Sequence, residues 1–406
     1  MFFIENDDYT RHGYYQVDGV KTFSKFEAWQ LSGKNFDKIQ FIFNDEIMSQ
    51  YDWTQEPVED VYDLYTERAR QLRQRYDYLV LLYSGGIDSH TMLETFLQND
   101  IHLDEICSFS LRDVQDETAQ FNQEVFRRAV PFIQSLDLNK LGTKYRIVDM
   151  GKMVIEQYSD DFHFENYHNY TNGILTNWGV TARTHKFKSQ IKEHVQLTES
   201  GKSVCYIWGY DKPSIIIRNG QYCYRFIDAA LDLNAKQYFN HIALEQKFAN
   251  FYDEPFFITR DYPKIVIKQC HMLVNLMKTM PRNDPRIVSI DDLPITGPFI
   301  AHHQYDTEKQ FHRFLNKKTV DGAIYPRAII DLFGDDKTRG SFIFSKRDTW
   351  FTKSNHENQH RWYEKVVNMV KENRNFYTYK NNQVVNSKTI ASKDYILGPV
   401  LPNSII

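Results

Sequence analysis

One stretch constrains the fold of this chain more than any other: YLVLLYSGGIDSHTMLETF, Tyr78 to Phe96. Six apolar or aromatic residues run into Ser-Gly-Gly-Ile-Asp-Ser, and a helix-periodic segment with Leu93, Phe96 and Leu97 on one face follows at once. A short apolar run closed by glycines reads as a strand buried on both faces, the kind that parallel sheets use. A strand that turns through two glycines into a helix gathers backbone N–H groups at a helix N-terminus, where negative charge is favoured. The turn therefore predicts an α/β fold and an anion at the strand's carboxyl end.

The flanking sequence extends that pattern. Val61, Leu64, Tyr65, Ala69 and Leu72 mark one face of a helix starting near Pro57 and Val58, and Arg68, Arg70, Arg73 and Arg75 read as its solvated face. EICSFSL predicts a second strand, Ala119–Ser135 a helix bent or ended near Pro131, and KYRIVDM a third strand. KFKSQIKEHVQL is helical and SVCYIWG is a fourth strand. Strands alternating with helices imply a mostly parallel sheet covered by helices on both faces. Residues 1–70 read as a small β-containing unit with a lead-in helix, 71–240 as the sheet domain, and 241–406 as a mainly helical region closing over it.

Composition sets outer limits. The chain has 406 residues, 42% of them hydrophobic, and a formal net charge of -4, which argues against a wholesale polyanion binder. No apolar run approaches the roughly 20 residues needed to span a bilayer. MFFIENDDY carries acids where a signal peptide needs bases, so the expected location is cytoplasmic with no membrane contact. Cys107, Cys205, Cys223 and Cys270 are scattered, without zinc spacing or a disulfide framework, and read as buried thiols.

The glycine turn sharpens the expected ligand. Gly85 and Gly86 permit positive φ and close backbone approach, and Ser84 and Ser89 add hydroxyls. Asp88 repels a phosphate by itself but fits a divalent cation bridging it to one. The Walker loop and the G-x-G-x-x-G dinucleotide pattern are both missing from the sequence.

Ser84-Gly85-Gly86-Ile87-Asp88-Ser89 resembles the PP-loop of the N-type ATP pyrophosphatases, and the resemblance covers roughly residues 70–230. It implies the adenine nucleotide alpha hydrolase-like fold, ATP and magnesium as cofactors, and adenylation of a carboxylate, amide or carbonyl oxygen with loss of pyrophosphate. Within that superfamily the chain looks like the synthetase domain of asparagine synthetase and β-lactam synthetase. It also resembles the asparagine-synthase-like proteins of tailed phages, through EPFFITRDYPKIVIKQCHML and KRDTWF. By the resemblance Gly209-Tyr210-Asp211-Lys212 closes the fourth strand as a second nucleotide element. Asp211 would share magnesium with Asp88, and Lys212 would stand near the departing pyrophosphate.

Ser108 and Phe109, at the second strand's end, read either as adenine neighbours or as core, and the resemblance asks for a lysine from beyond the sheet, with Lys268, Lys337 and Lys346 as candidates. The position that carries a catalytic cysteine in glutamine-hydrolysing members is Phe2 here, and DGVKTFSKFEAWQLS is open to reading as a remnant of the glutaminase domain. The expected activity is thus an AMP-forming ligase or amidotransferase. Its partners would be a small carboxylate or nucleobase substrate and ammonia or an amine, supplied freely or by a separate glutaminase.

Residues 337–380 hold 10 Lys or Arg against 4 Asp or Glu, interleaved with aromatic rings. Two readings stand: an amphipathic region with its aromatics in the core, or a nucleic-acid surface of phosphate-binding bases and stacking rings. The second would make the enzyme a nucleobase-modifying one acting on DNA, RNA or a deazaguanine-like base. A protein that binds ATP without turnover is the remaining alternative.

Overall fold

The computed structural model describes residues 10–110, 125–150, 187–209, 213, 215–228, 231, 250–279 and 390–400, with the backbone of four further short strands. The central element is the expected strand, β4 (Tyr78–Leu82), the first of five parallel strands. It pairs with β5 (Glu105–Ser110) on one side and β7 (Val204–Trp208) on the other. β6 (Lys144–Asp149) extends the sheet beyond β5, and β10 (Phe251–Pro255) extends it beyond β7.

Register assigns the faces, because partners across a ladder point the same way and neighbours along a strand alternate. Leu81 lies opposite Ile106 and Ile207, and that face carries the helices α3 (Val61–Arg75) and α4 (Ile87–Gln98), with α8 (Lys264–Thr279) packed on α3. Val80 lies opposite Glu105 and Tyr206 on the other face, covered by the 3-10 turn Phe187–Gln190 and α7 (Lys192–Glu199). Both faces are covered, and the core between sheet and helices is mainly apolar, with a few buried charges such as Glu105 paired inside it. The α/β class expected from the sequence is present.

Four details depart from the sequence reading. Helix α3 begins at Val61, because Asp60 caps it by accepting from Tyr62 N, and Val58 is 96% exposed. Its face of arginines is not uniformly solvated: Arg68 is buried against Glu254 at 2.8 Å, whereas Arg70 stays exposed. In the segment expected as a helix bent or ended near Pro131, the irregularity comes earlier, as a π-helical turn, Val125–Ala129, that leads into a short helix, α5 (Val130–Gln134), with Pro131 in its first turn. Proline is tolerated there because a first-turn residue needs no intrahelical donor.

The fourth departure concerns the boundary at 240. The sheet's fifth strand, β10, lies beyond it. FYDEP does not read as a buried strand because Asp253 and Glu254 interrupt the apolar run. Each acid is buried because a cation meets it, Lys188 for Asp253 and both Arg11 and Arg68 for Glu254.

The N-terminal unit is a three-stranded antiparallel sheet, β1 (Tyr14–Val17) between β2 (Val20–Thr22) and β3 (Gln40–Ile42), with α1 (Lys25–Leu31) capped by Ser24. It shares an aromatic core with a second antiparallel sheet formed by β8 (Ile215–Arg218), β9 (Gln221–Tyr224) and β15 (Tyr395–Pro399). Phe43 stacks on Phe226 at 4.3 Å and Trp53 meets Tyr395 at 4.4 Å. Asp228 joins the pieces, accepting from Tyr15 Oη at 2.9 Å and pairing with Lys25 at 2.7 Å.

The C-terminal region expected as mainly helical therefore contributes strands to two sheets as well as α8. The four backbone-only strands, β11 (Ile287–Ser289), β12 (Arg313–Leu315), β13 (Tyr377–Lys380) and β14 (Gln383–Ser387), form two antiparallel pairs. Among the described residues no helix is long and apolar enough to cross a membrane.

Candidate functional site

Strand order is β10-β7-β4-β5-β6, so the chain winds one way from β4 through β5 and β6 and the other way through β7 and β10. The direction reverses between β4 and β7, and in open parallel sheets ligands bind beyond the carboxyl ends at such a reversal. The glycine turn leaves β4 at that point, and Gly209 leaves β7 beside it. These two segments are 120 residues apart in sequence and in contact in the fold. A β-carbon on Gly209 would lie 3.2 Å from Ser89 N and 3.3 Å from the Asp88 carbonyl carbon.

Within the turn, Gly85 takes φ +81°, a left-handed conformation that favours glycine, and Gly86 is the N-cap of α4 in extended backbone. Gly86 brings no side chain to cap the helix, and the first-turn amides of Ile87, Asp88 and Ser89 have no intrahelical acceptor by helix geometry. Ile87 is buried and Asp88 is half-buried. Tyr65 lies near enough for the Asp88 charge to add to burial in pushing its hydroxyl well above the usual range.

The two serines do more for the loop than the sequence suggests. Ser89 is buried, with Oγ donating to Gly86 O at 3.0 Å and accepting from Ser84 N at 3.2 Å. Ser84 is exposed and its Oγ accepts from Gly86 N at 3.2 Å. Ser89 thus stitches the turn from inside, while Ser84 remains on the open side.

Ser108 and Phe109 point to opposite faces of β5. Ser108 is an anchor: its Oγ donates to Tyr83 O at 2.6 Å and accepts from Tyr145 Oη at 3.1 Å. Phe109 is half-buried, edge-on to Phe187 with centroids 4.7 Å apart, and 6.4 Å from the half-buried ring of Trp208. Trp208 Nε1 donates to Asp253 Oδ1 at 2.7 Å, and Lys188, which pairs with Asp253, lies 4.6 Å above the Tyr206 ring. Sequence reading missed this Trp208–Asp253–Lys188 group because its members come from three segments with no shared spacing.

Lys268 is not at the turn. Its Nζ donates to Pro57 O at 2.9 Å and pairs with Glu56 at 2.8 Å, so it ties α8 to the segment before α3. Asp211 and Lys212 lie outside the described residues, as do Lys337 and Lys346; only the backbone of 377–380 is described within the basic-aromatic segment. Among the described residues no group of three or more His, Cys, Asp or Glu is arranged to hold a metal. All four cysteines are buried and free, with Cys205 and Cys223 in different sheets.

No family model matches this chain, and no curated protein matches it. What the arrangement offers chemically therefore rests on its own geometry. An uncapped helix N-terminus and a glycine in positive φ stand at the reversal of a parallel sheet. A carboxylate sits in the first turn, and two half-buried rings lie one strand away on either side.

Proposed function

We propose that the chain is an ATP-dependent, AMP- and pyrophosphate-forming ligase of the PP-loop type, similar in chemistry to the synthetase domain of asparagine synthetase. The observation that carries this reading is the packing of Gly209 on the Asp88–Ser89 backbone. It brings Gly209, the residue that opens the second sequence element, to the glycine turn.

The residues fit a magnesium–nucleotide complex. The amides of Ile87, Asp88 and Ser89 and the hydroxyl of Ser84 would receive the β,γ-phosphates, because the positive end of α4 favours negative charge. Asp88 together with Asp211 would hold magnesium, which supplies charge neutralisation on the phosphates. Phe109 and Trp208 offer aromatic surface beside the turn for the adenine ring. Lys212 would balance charge on the leaving pyrophosphate.

The reaction balances without a redox partner. An oxygen of the substrate carboxylate or carbonyl attacks the α-phosphorus, the bond from that phosphorus to the bridging oxygen breaks, and pyrophosphate carries the electron pair away. Ammonia or an amine then attacks the activated carbon, AMP leaves, and the amine loses a proton. The turn needs only to orient the triphosphate in line with the acceptor.

The test is product analysis with ATP labelled at the α- and γ-phosphates, in magnesium, with a panel of carboxylates, amines, nucleobases, DNA and RNA. Release of AMP and pyrophosphate by the wild type, lost in Asp88→Ala, is expected, and the stimulating substrate names the acceptor. Release of ADP and phosphate would overturn the mechanism. Tight ATP binding with no turnover on any acceptor would favour a nucleotide sensor.

A further inference from the structure

The residues immediately outside the glycine turn on either side, Tyr83 and His90, are joined to one another. Tyr83 Oη and His90 Nδ1 lie 3.0 Å apart, and both side chains are buried. Tyr83 is the last residue before Ser84 and His90 the first after Ser89, so this bond closes a ring around the six-residue loop. Glu94 Oε1 lies 3.4 Å from His90 Nε2, a contact without hydrogen-bond geometry, so the tautomer decides which atom of the Tyr83–His90 pair donates. With the proton on Nε2, His90 Nδ1 accepts from the Tyr83 hydroxyl.

Each end of that ring is anchored separately. On the strand side, Tyr83 N donates to Cys107 O at 2.8 Å and Tyr83 O accepts from Ser108 at 2.6 Å. On the helix side, His90 N donates to Gly86 O at 2.9 Å, and Phe132 packs edge-on against the imidazole at 4.6 Å. The strand end and the helix start are thus each held by the scaffold and held to each other. The direction of the amides between them depends on that spacing, since Gly85 and Gly86 would otherwise let the turn relax.

We infer that the Tyr83–His90 pair is a clamp that presets the glycine turn, and that His90 is a positioning residue for the anion bound there. Only the identity of the anion rests on the ligase reading; the clamp itself does not. His90 acts through Tyr83 and the loop backbone and does not touch the ligand. A preset loop costs less ordering free energy on binding than a loose one.

The test compares wild type with His90→Leu, His90→Asn, Tyr83→Phe and the His90→Leu/Tyr83→Phe double variant. Two readouts are taken: amide hydrogen exchange in peptides covering residues 84–89, and the Kd of magnesium-ATP by calorimetry. Loop exchange should quicken in His90→Leu and Tyr83→Phe, leaving peptides from 264–279 unchanged, and Kd should rise about fivefold, the usual worth of one hydrogen bond. His90→Asn should restore both, because its Oδ1 can accept from the Tyr83 hydroxyl.

The double variant separates clamp from general stability. Removing both partners leaves neither end of the Tyr83–His90 bond stranded, so thermal stability should recover in part, whereas loop exchange should stay fast. Unchanged loop exchange in the single variants, or full recovery of the loop in the double variant, would overturn the clamp. Wild type that binds no magnesium-ATP would instead overturn the nucleotide reading, with the exchange data still deciding the clamp.

Discussion

Gly209 and Ser89 meet backbone to backbone: a β-carbon on Gly209 would stand 3.2 Å from Ser89 N, tighter than ordinary contact, and 3.0 Å from Met92 Cε. The methionine end can move, but the helix backbone cannot without shifting the glycine turn. Gly209→Ala should cost about 1–3 kcal/mol by overpacking. It should also weaken magnesium-ATP binding more than a substitution of equal stability cost elsewhere in the sheet. Denaturant midpoints and calorimetry on the same samples check both parts.

Acid should unfold the protein in two stages. Burial, aided by Arg11, lowers His12 from 6.5 to about 4, so the folded state resists a proton that the unfolded chain accepts. The stability this contributes is present above pH 6.5 and is lost as pH falls towards 4, on the order of 3 kcal/mol. Burial alone would raise Glu254, but Arg68 and Arg11 outweigh it and hold the carboxyl down to about 2. Its contribution is present above pH 4.5 and is lost as pH falls towards 2. In urea titrations at each pH, His12→Gln should flatten the upper stage alone.

Arg68 and Arg70 are two residues apart on α3 and should behave oppositely. Arg68→Met leaves the buried Glu254 short of a partner and should destabilise by about 3 kcal/mol or more. Arg70 pairs only loosely with Glu67, at 3.9 Å on the surface, so Arg70→Ala should change stability by less than about 0.5 kcal/mol. Equal effects in thermal denaturation would contradict the burial of Arg68.

The thiols should be silent in the native protein. Burial pushes Cys107, Cys205 and Cys270 above the usual thiol range, and Cys223 up to about 11. A thiolate-specific reagent at pH 8 should label none of the four at a rate approaching that of the unfolded chain. Rapid labelling of Cys205 or Cys223 would contradict their burial in β7 and β9.

The N-terminal unit should not be removable. Phe43 and Trp53 lie in one aromatic core with Phe226 and Tyr395, and Lys25 neutralises the buried Asp228. A chain beginning after Trp53 would expose those rings and strand that carboxylate. It should fail to give soluble, cooperatively unfolding protein, as followed by expression and circular dichroism.

Local chemistry was enough for part of this molecule. Five successive apolar or aromatic residues, Tyr78–Leu82, are compatible with a strand covered on both faces, and Gly85 must take a positive φ for the chain to turn straight into α4. These are short-range consequences of side-chain hydrophobicity and of a missing β-carbon, so the sequence alone determined the strand, the turn and the α/β class. It could not determine that β10 is a strand of the same sheet, because Asp253 and Glu254 are buried only through Lys188, Arg11 and Arg68. Arg68 likewise reads as surface until Glu254, 186 residues away, is placed against it. Nor could periodicity show that Gly209 would rest on Ser89 or that Lys268 would turn to Glu56. A charge is buried or solvated, and a glycine is needed or merely tolerated, according to what lies across from it, and that is decided only when distant segments pack.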